Sequence, residues 1–135
     1  MGPAARQAFH DGLNCAQAVF SVFAEQYGLP AETAVRLASG LGAGCKSGEI
    51  CGAATGALLV IGLRDGADKA LCGRQAQAFL AAFRQRAGAV RCLDLLGYQV
   101  NCPEGQARFA QTPRGQSSCA GYVETAAGIL EEMGY

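Results

Sequence analysis

The chain has 135 residues, half of them apolar and 16% charged, with eleven basic and eleven acidic side chains and a formal charge of zero. That length suits one domain, residues 1–135, with an ordinary hydrophobic core that needs no disulfide staples, and the composition excludes a disordered chain. Balanced and scattered charge offers no footprint for a polyanion, so nucleic acid is not an expected partner.

The first residues, Met1-Gly2-Pro3-Ala4-Ala5-Arg6, lack the apolar stretch of a secretory leader. The most apolar segment, Ile50 to Leu63, is shorter than the ~20 residues a bilayer-spanning helix requires. No membrane span and a cytoplasmic setting are therefore expected. In chain order, Asn14 reads as an N-cap, and Ala16, Val19, Phe20, Phe23 and Tyr27 fall on one face of a helix that Gly28 stops. Pro30 opens a second helix, carrying Ala34, Val35 and Leu37 as far as Ser39. The glycine-dense stretch Gly40 to Gly48 reads as a loop. The helix from Ile50 to Leu63 is apolar all round and should be central. Its face of Gly52, Ala53, Gly56 and Ala57 would admit another backbone, a cofactor or a second copy of the chain. Each glycine in a helix interior costs about 1 kcal/mol relative to alanine, so a close approach is needed to compensate.

Arg64 to Gly73 reads as a polar connection and Gln75 to Ala87 as a helix with Phe79, Leu80 and Phe83 inward. A short helix over Ala89 to Leu96 stops at Gly97. Tyr98 to Gln116 has little periodicity and is a candidate lid or functional loop. Ser117 or Ser118 caps a final helix with Tyr122, Val123, Ala126, Ile129 and Leu130 inward. The pattern predicts an all-α fold, one compact bundle of about five or six helices around the Gly/Ala-rich apolar helix.

Seven cysteines remain to be explained, an odd number, so at least one thiol stays unpaired within a monomer. Cys15, Cys51, Cys92 and Cys119 each stand at an expected helix start, and Cys45 lies in the glycine-rich loop leading to one. A helix N-terminus presents free N–H groups and partial positive charge, which favour an anion such as a thiolate. That contribution, at most about 2 kcal/mol, lowers a thiol pKa by at most about 1.5 units. A further drop requires a cation, and Arg91 beside Cys92 and Lys46 beside Cys45 are the sequence neighbours available. No C-x-x-C pair exists; Cys45 and Cys51 are the closest. Neither a zinc-finger spacing nor a thioredoxin-type motif is present, so any site must be assembled by the fold from distant helix starts. Cys72, between Leu71 and Gly73, reads as packing, and Cys102 as exposed in the irregular stretch. His10, the lone histidine, reads as a solvated surface residue. The glycine loop lacks a phosphate-cradle pattern, since Cys45 stands before Lys46-Ser47 where glycine is required.

The stretch Asn14-Cys15-Ala16-Gln17-Ala18-Val19, then Cys51-Gly52-Ala53 with Gly56, then Cys92-Leu93-Asp94-Leu95-Leu96-Gly97, and Cys119 resembles the C_GCAxxG_C_C family of proteins described as redox-active. The label writes its central motif Gly-Cys-Ala, whereas this chain reads Cys51-Gly52-Ala53. The resemblance implies that Cys15, Cys51, Cys92 and Cys119 are the defining four, with Cys45, Cys72 and Cys102 additional. It also implies an electron-transfer or transporter-associated protein partner of unknown identity. The leading expectation is a small redox protein whose four cysteines converge to hold an iron–sulfur cluster or to cycle between thiols and a disulfide. In the dithiol form Cys51 is the expected nucleophile, because its loop should leave it most accessible, and Cys45 its resolving partner. Two other readings stay open: a module binding zinc or another metal through the same four cysteines without redox chemistry, and a cofactor-free helical interaction protein whose cysteines only pack. Homodimerisation through the small-residue face stays open too.

Overall fold

The computed structural model describes residues 1–135 and contains eight α-helices: α1 Gly2–His10, α2 Cys15–Ala24, α3 Ala31–Leu37, α4 Gly52–Asp65, α5 Lys69–Ala87, α6 Cys92–Leu96, α7 Pro103–Phe109 and α8 Ser118–Glu132. Extended pairing is confined to one isolated antiparallel bridge between Ile50 and Arg91. No helix is long and apolar enough to cross a membrane.

The all-α expectation holds, but two helices beyond the expected set are present, and both have weak sequence signals for physical reasons. In α1 only Gly2, Ala5 and Phe9 are buried, too sparse a stripe to show a period. In α7 only Gly105 is buried; the helix starts because Pro103 fixes the first turn and the Cys102 sulfur accepts from the Gly105 N–H. Helix α5 also begins earlier than expected, at Lys69, because the Asp68 side chain caps it by accepting from Leu71 N–H at 3.1 Å.

One hydrophobic core of 26 buried residues runs through the chain. Helix α2 packs against α1, α3, α4 and α8, while α4 packs against α2, α5 and α8. The interior is thus shared by α2, α4 and α8 rather than built around α4 alone. The glycines of α4 explain its crossing with α2. A Cβ on Gly56 would lie 2.6 Å from the Ala16 carbonyl oxygen, and one on Gly52 would lie 3.1 Å from both the Ala16 nitrogen and the Cys15 Cβ. The small-residue face is therefore filled by the first turn of α2 in the same chain. A Cβ at position 52 would press on the start of α2, which favours glycine directly after Cys51.

The loop before α4 turns left-handed over four consecutive residues, Ala43, Gly44, Cys45 and Lys46, with φ between 53° and 64°. For residues with a Cβ that conformation costs about 1–2 kcal/mol each, so neighbours must impose it. Ser47 Oγ donates to the Gly44 carbonyl at 3.0 Å, and the Asn101 side-chain amide donates to the Lys46 carbonyl. The loop then enters the bridge, where Cys51 N–H donates to Val90 C=O at 2.8 Å and Cys92 N–H to Glu49 C=O at 2.6 Å. That bridge registers the starts of α4 and α6 against each other.

Candidate functional site

Four helix starts meet at one cavity. Cys15 is the first residue of α2, which begins in a reciprocal capping box: Gln17 N–H donates to Asn14 Oδ1 at 2.8 Å, and Asn14 N–H to Gln17 Oε1 at 2.9 Å. Cys51 is the N-cap of α4, and Cys92 opens α6 across the bridge. Cys119 sits in the first turn of α8, whose N-cap Ser117 accepts from Ala120 N–H at 3.3 Å. All four cysteines line a cavity of about 180 Å³. Its apolar walls are Phe9, Leu95, Leu96, Val100, Phe109 and Tyr122, and Asn14, Lys46 and Arg114 supply polar groups. Val100, Phe109 and Arg114 come from the stretch expected to act as a lid or functional loop, so that segment does border the site.

The other three cysteines stand apart from the cavity lining. Cys45 is exposed on the left-handed turn. Cys72 is half-buried in α5 and packs against the core, as expected. Cys102 is half-buried rather than freely exposed, because its sulfur caps α7 at 3.4 Å from Gly105 N and donates to the Gln99 carbonyl at 3.3 Å. His10 is exposed beside Gln7 and Asp11, outside the cavity.

The thiols differ sharply in their tendency to ionise. Burial pushes Cys51 up to about 12, against which the Ala53 and Ala54 N–H groups pull only partly. Burial, reinforced by the charge of Cys119, pushes Cys92 up to about 11. Cys15 is raised well above the ordinary thiol range, first by its hydrogen bond to Cys119 and then by desolvation of its half-buried sulfur. Cys119 alone moves down: it receives the Cys15 hydrogen bond and faces the Arg114 guanidinium, which together outweigh its desolvation.

Three sequence expectations are corrected here. Cys51 is not the most accessible thiol; it is 5% exposed, because the loop folds over it and leaves Cys45 outside. Burial, not the helix dipole, decides the protonation of Cys51 and Cys92, since desolvation there exceeds the dipole's at most about 2 kcal/mol, while the hydrogen bond to Cys119 is the first cause at Cys15. Arg91 does not serve Cys92 either: its guanidinium lies 3.3 Å from Glu49 and 3.9 Å from Asp94 at the surface.

Arg114 is the functional residue that sequence reasoning missed. Its Nε donates to Phe9 C=O at 3.0 Å, an Nη donates to Leu13 C=O at 2.6 Å, and its guanidinium carbon lies 4.2 Å from the Phe9 ring centroid. The contacts run from the turn before α8 to the end of α1, a helix with almost no sequence signature, so no local pattern marks this arginine. No three His, Cys, Asp or Glu side chains are grouped as they would be around a single metal ion.

A family model described as "Putative redox-active protein (C_GCAxxG_C_C)" matches residues 13–133. Neither the curated proteins nor the solved structures contain a match to the chain.

Proposed function

The chain belongs to the family described as "Putative redox-active protein (C_GCAxxG_C_C)", and from that premise we propose a dithiol–disulfide centre in which Cys119 is the nucleophile and Cys15 its resolving partner. The observation that carries this reading is that Cys15 and Cys119, at the starts of two packed helices, line one cavity and shift each other's ionisation in opposite directions, Cys15 towards the thiol and Cys119 towards the thiolate. Thiol–disulfide exchange needs one thiolate to attack and a second thiol close enough to displace the resulting mixed disulfide. Helices α2 and α8 pack against each other and bring the two residues together from opposite ends of the chain. Oxidation removes two electrons from the pair and the one proton on Cys15, and joins the sulfurs. Cys51 and Cys92 remain neutral thiols on the same wall and keep further negative charge away from Cys119. Cys45, on the exposed turn, has no part in this scheme.

The test is oxidation of the reduced protein with diamide at pH 7.5, followed by disulfide mapping by mass spectrometry. A Cys15–Cys119 bond is the expected product. Absence of that bond, or a Cys51–Cys92 bond in its place, overturns the proposal. The same four thiols are the donor set of the iron–sulfur reading, to which each would contribute one sulfur. Anaerobic purification with iron and sulfide analysis and a visible spectrum decides between them. Stoichiometric iron and sulfide with absorbance that bleaches on reduction would replace the dithiol scheme.

A further inference from the structure

We infer that the oxidant reduced by the Cys15–Cys119 pair is a low-molecular-weight disulfide carrying negative charge, bound within the cavity, and not a disulfide of another protein. The inference rests on the dithiol reading above and names the substrate class of that site.

Reach is the first argument. In exchange, the attacking sulfur must approach one sulfur of the target disulfide closely enough to bond to it. The attacking Cys119 is 9% exposed, Cys51 and Cys92 on the same lining are 5% and 7% exposed, and Cys15 is half-buried. A disulfide on a folded protein brings two backbones with it and would have to enter a cavity of about 180 Å³. That volume is below the roughly 300–1,000 Å³ of ordinary ligand pockets, so it selects a compact molecule.

Charge is the second argument. The chain as a whole is neutral, yet the cavity lining contains Lys46 and Arg114 and no carboxylate. Arg114 uses two of its nitrogens on the Phe9 and Leu13 carbonyls and is fixed in place. Lys46 stands exposed on the left-handed turn; its carbonyl is held by Asn101 and its ammonium has no partner in the protein. An anionic group on the incoming molecule would pair with it, while the apolar walls cover the carbon skeleton.

The chemistry balances with that substrate alone. The Cys119 thiolate attacks one sulfur of R–S–S–R; that S–S bond breaks and one R–S⁻ leaves, taking up a proton from solvent. Cys15 then gives up its proton and attacks the Cys119 sulfur, expelling the second R–S⁻. The Cys15 proton passes to that second R–S⁻, so the sum is one small disulfide, one protein thiolate, one protein thiol and one solvent proton converted to two small thiols and the Cys15–Cys119 disulfide.

The experiment measures oxidation of the reduced protein by 3,3′-dithiodipropionate, neutral bis(2-hydroxyethyl) disulfide, cationic cystamine and insulin. Each rate is divided by that probe's rate with the neutral thiol 3-mercapto-1,2-propanediol, which removes its intrinsic reactivity. The dianionic probe should exceed the dicationic one by about two- to fivefold, the scale of one surface ion pair. Lys46→Gln should shrink that ratio by about half or more, and insulin should stay below all three small probes. A cystamine rate equal to or above that of dithiodipropionate, a ratio unchanged in Lys46→Gln, or insulin reacting as fast as the small probes overturns the inference. Diamide separates the two levels. If diamide forms the Cys15–Cys119 bond and the anionic probe shows no preference, the substrate class is wrong and the dithiol reading stands. If diamide does not form it, both fall.

Discussion

Alkylation kinetics give the most direct access to the division of labour among the four thiols. Iodoacetamide reacts with thiolates, so the rate at each cysteine follows the fraction ionised. At pH 7 a thiol at about 12 is ionised to roughly one part in 10⁵ and one at about 11 to roughly one in 10⁴, against about one in 100 at the ordinary value of 9.0. Cys119 lies below that ordinary value, so its ionised fraction exceeds that of Cys51 by at least about 10³ and that of Cys92 by at least about 10². A more basic thiolate is a better nucleophile, which offsets about half of each logarithmic gap. Advantages of about 30-fold over Cys51 and about tenfold over Cys92 remain. Exposure does not reverse the order, because all three residues are buried to a similar degree. The assay is substoichiometric iodoacetamide at pH 7, quenching, digestion and quantitative mass spectrometry of each cysteine peptide. Labelling of Cys51 or Cys92 at the same rate as Cys119, or before it, would refute the assignment of the nucleophile.

Arg114→Gln removes the guanidinium that favours the Cys119 thiolate, so alkylation of Cys119 at pH 7 should slow several-fold while circular dichroism confirms the fold; an unchanged rate would remove Arg114 from the site. Stability should fall at alkaline pH. Burial holds Cys51 at about 12 while the unfolded chain ionises it near 9.0, so its contribution is whole below pH 9 and is lost as pH rises towards 12. Between pH 8 and pH 10 that amounts to about 1.4 kcal/mol, and urea titrations of Cys51→Ala should show a correspondingly flatter pH dependence. Two glycines of α4 should respond oppositely to alanine. Gly62 has open space around its Cβ position, so Gly62→Ala should stabilise by about 1 kcal/mol. At Gly56 a Cβ would meet the Ala16 backbone at 2.6 Å, and the resulting displacement of about 1–3 kcal/mol outweighs the propensity gain. Thermal melts moving in the same direction for both variants would contradict the α2–α4 packing.

Local patterns carried most of the helical architecture. Asn14 with its capping box, Gly28 in the left-handed conformation at φ 84° and Gly97 at φ 77° stop and start helices where single-residue chemistry requires it. The residues gathered at the cavity were legible for the same reason: a cysteine at a helix start is a sequence feature, and four such starts were visible. Their electrostatics were not legible. Whether a dipole or desolvation governs a thiol depends on what covers it, and the covering comes from Val100, Phe109 and the left-handed turn, none of which shows a period. Arg114 was hidden for a related reason: its partners Phe9 and Leu13 are about a hundred positions away, and the helix they terminate buries too few residues to be seen.

The four sulfurs also differ in what oxidation would do to them. Negative charge on Cys119 raises Cys51 and Cys92, so forming the Cys15–Cys119 disulfide removes that contribution from both. At each of them, however, burial is the larger cause, and burial does not change when two neighbouring sulfurs join. The positions of both are set by backbone hydrogen bonds across the Ile50–Arg91 bridge, which are independent of sulfur chemistry. Oxidation of the first pair therefore leaves the second pair protonated and unreactive. On the dithiol reading the centre exchanges two electrons rather than four, and Cys51 and Cys92 act in both states as neutral thiols that exclude water and competing charge from the reacting pair.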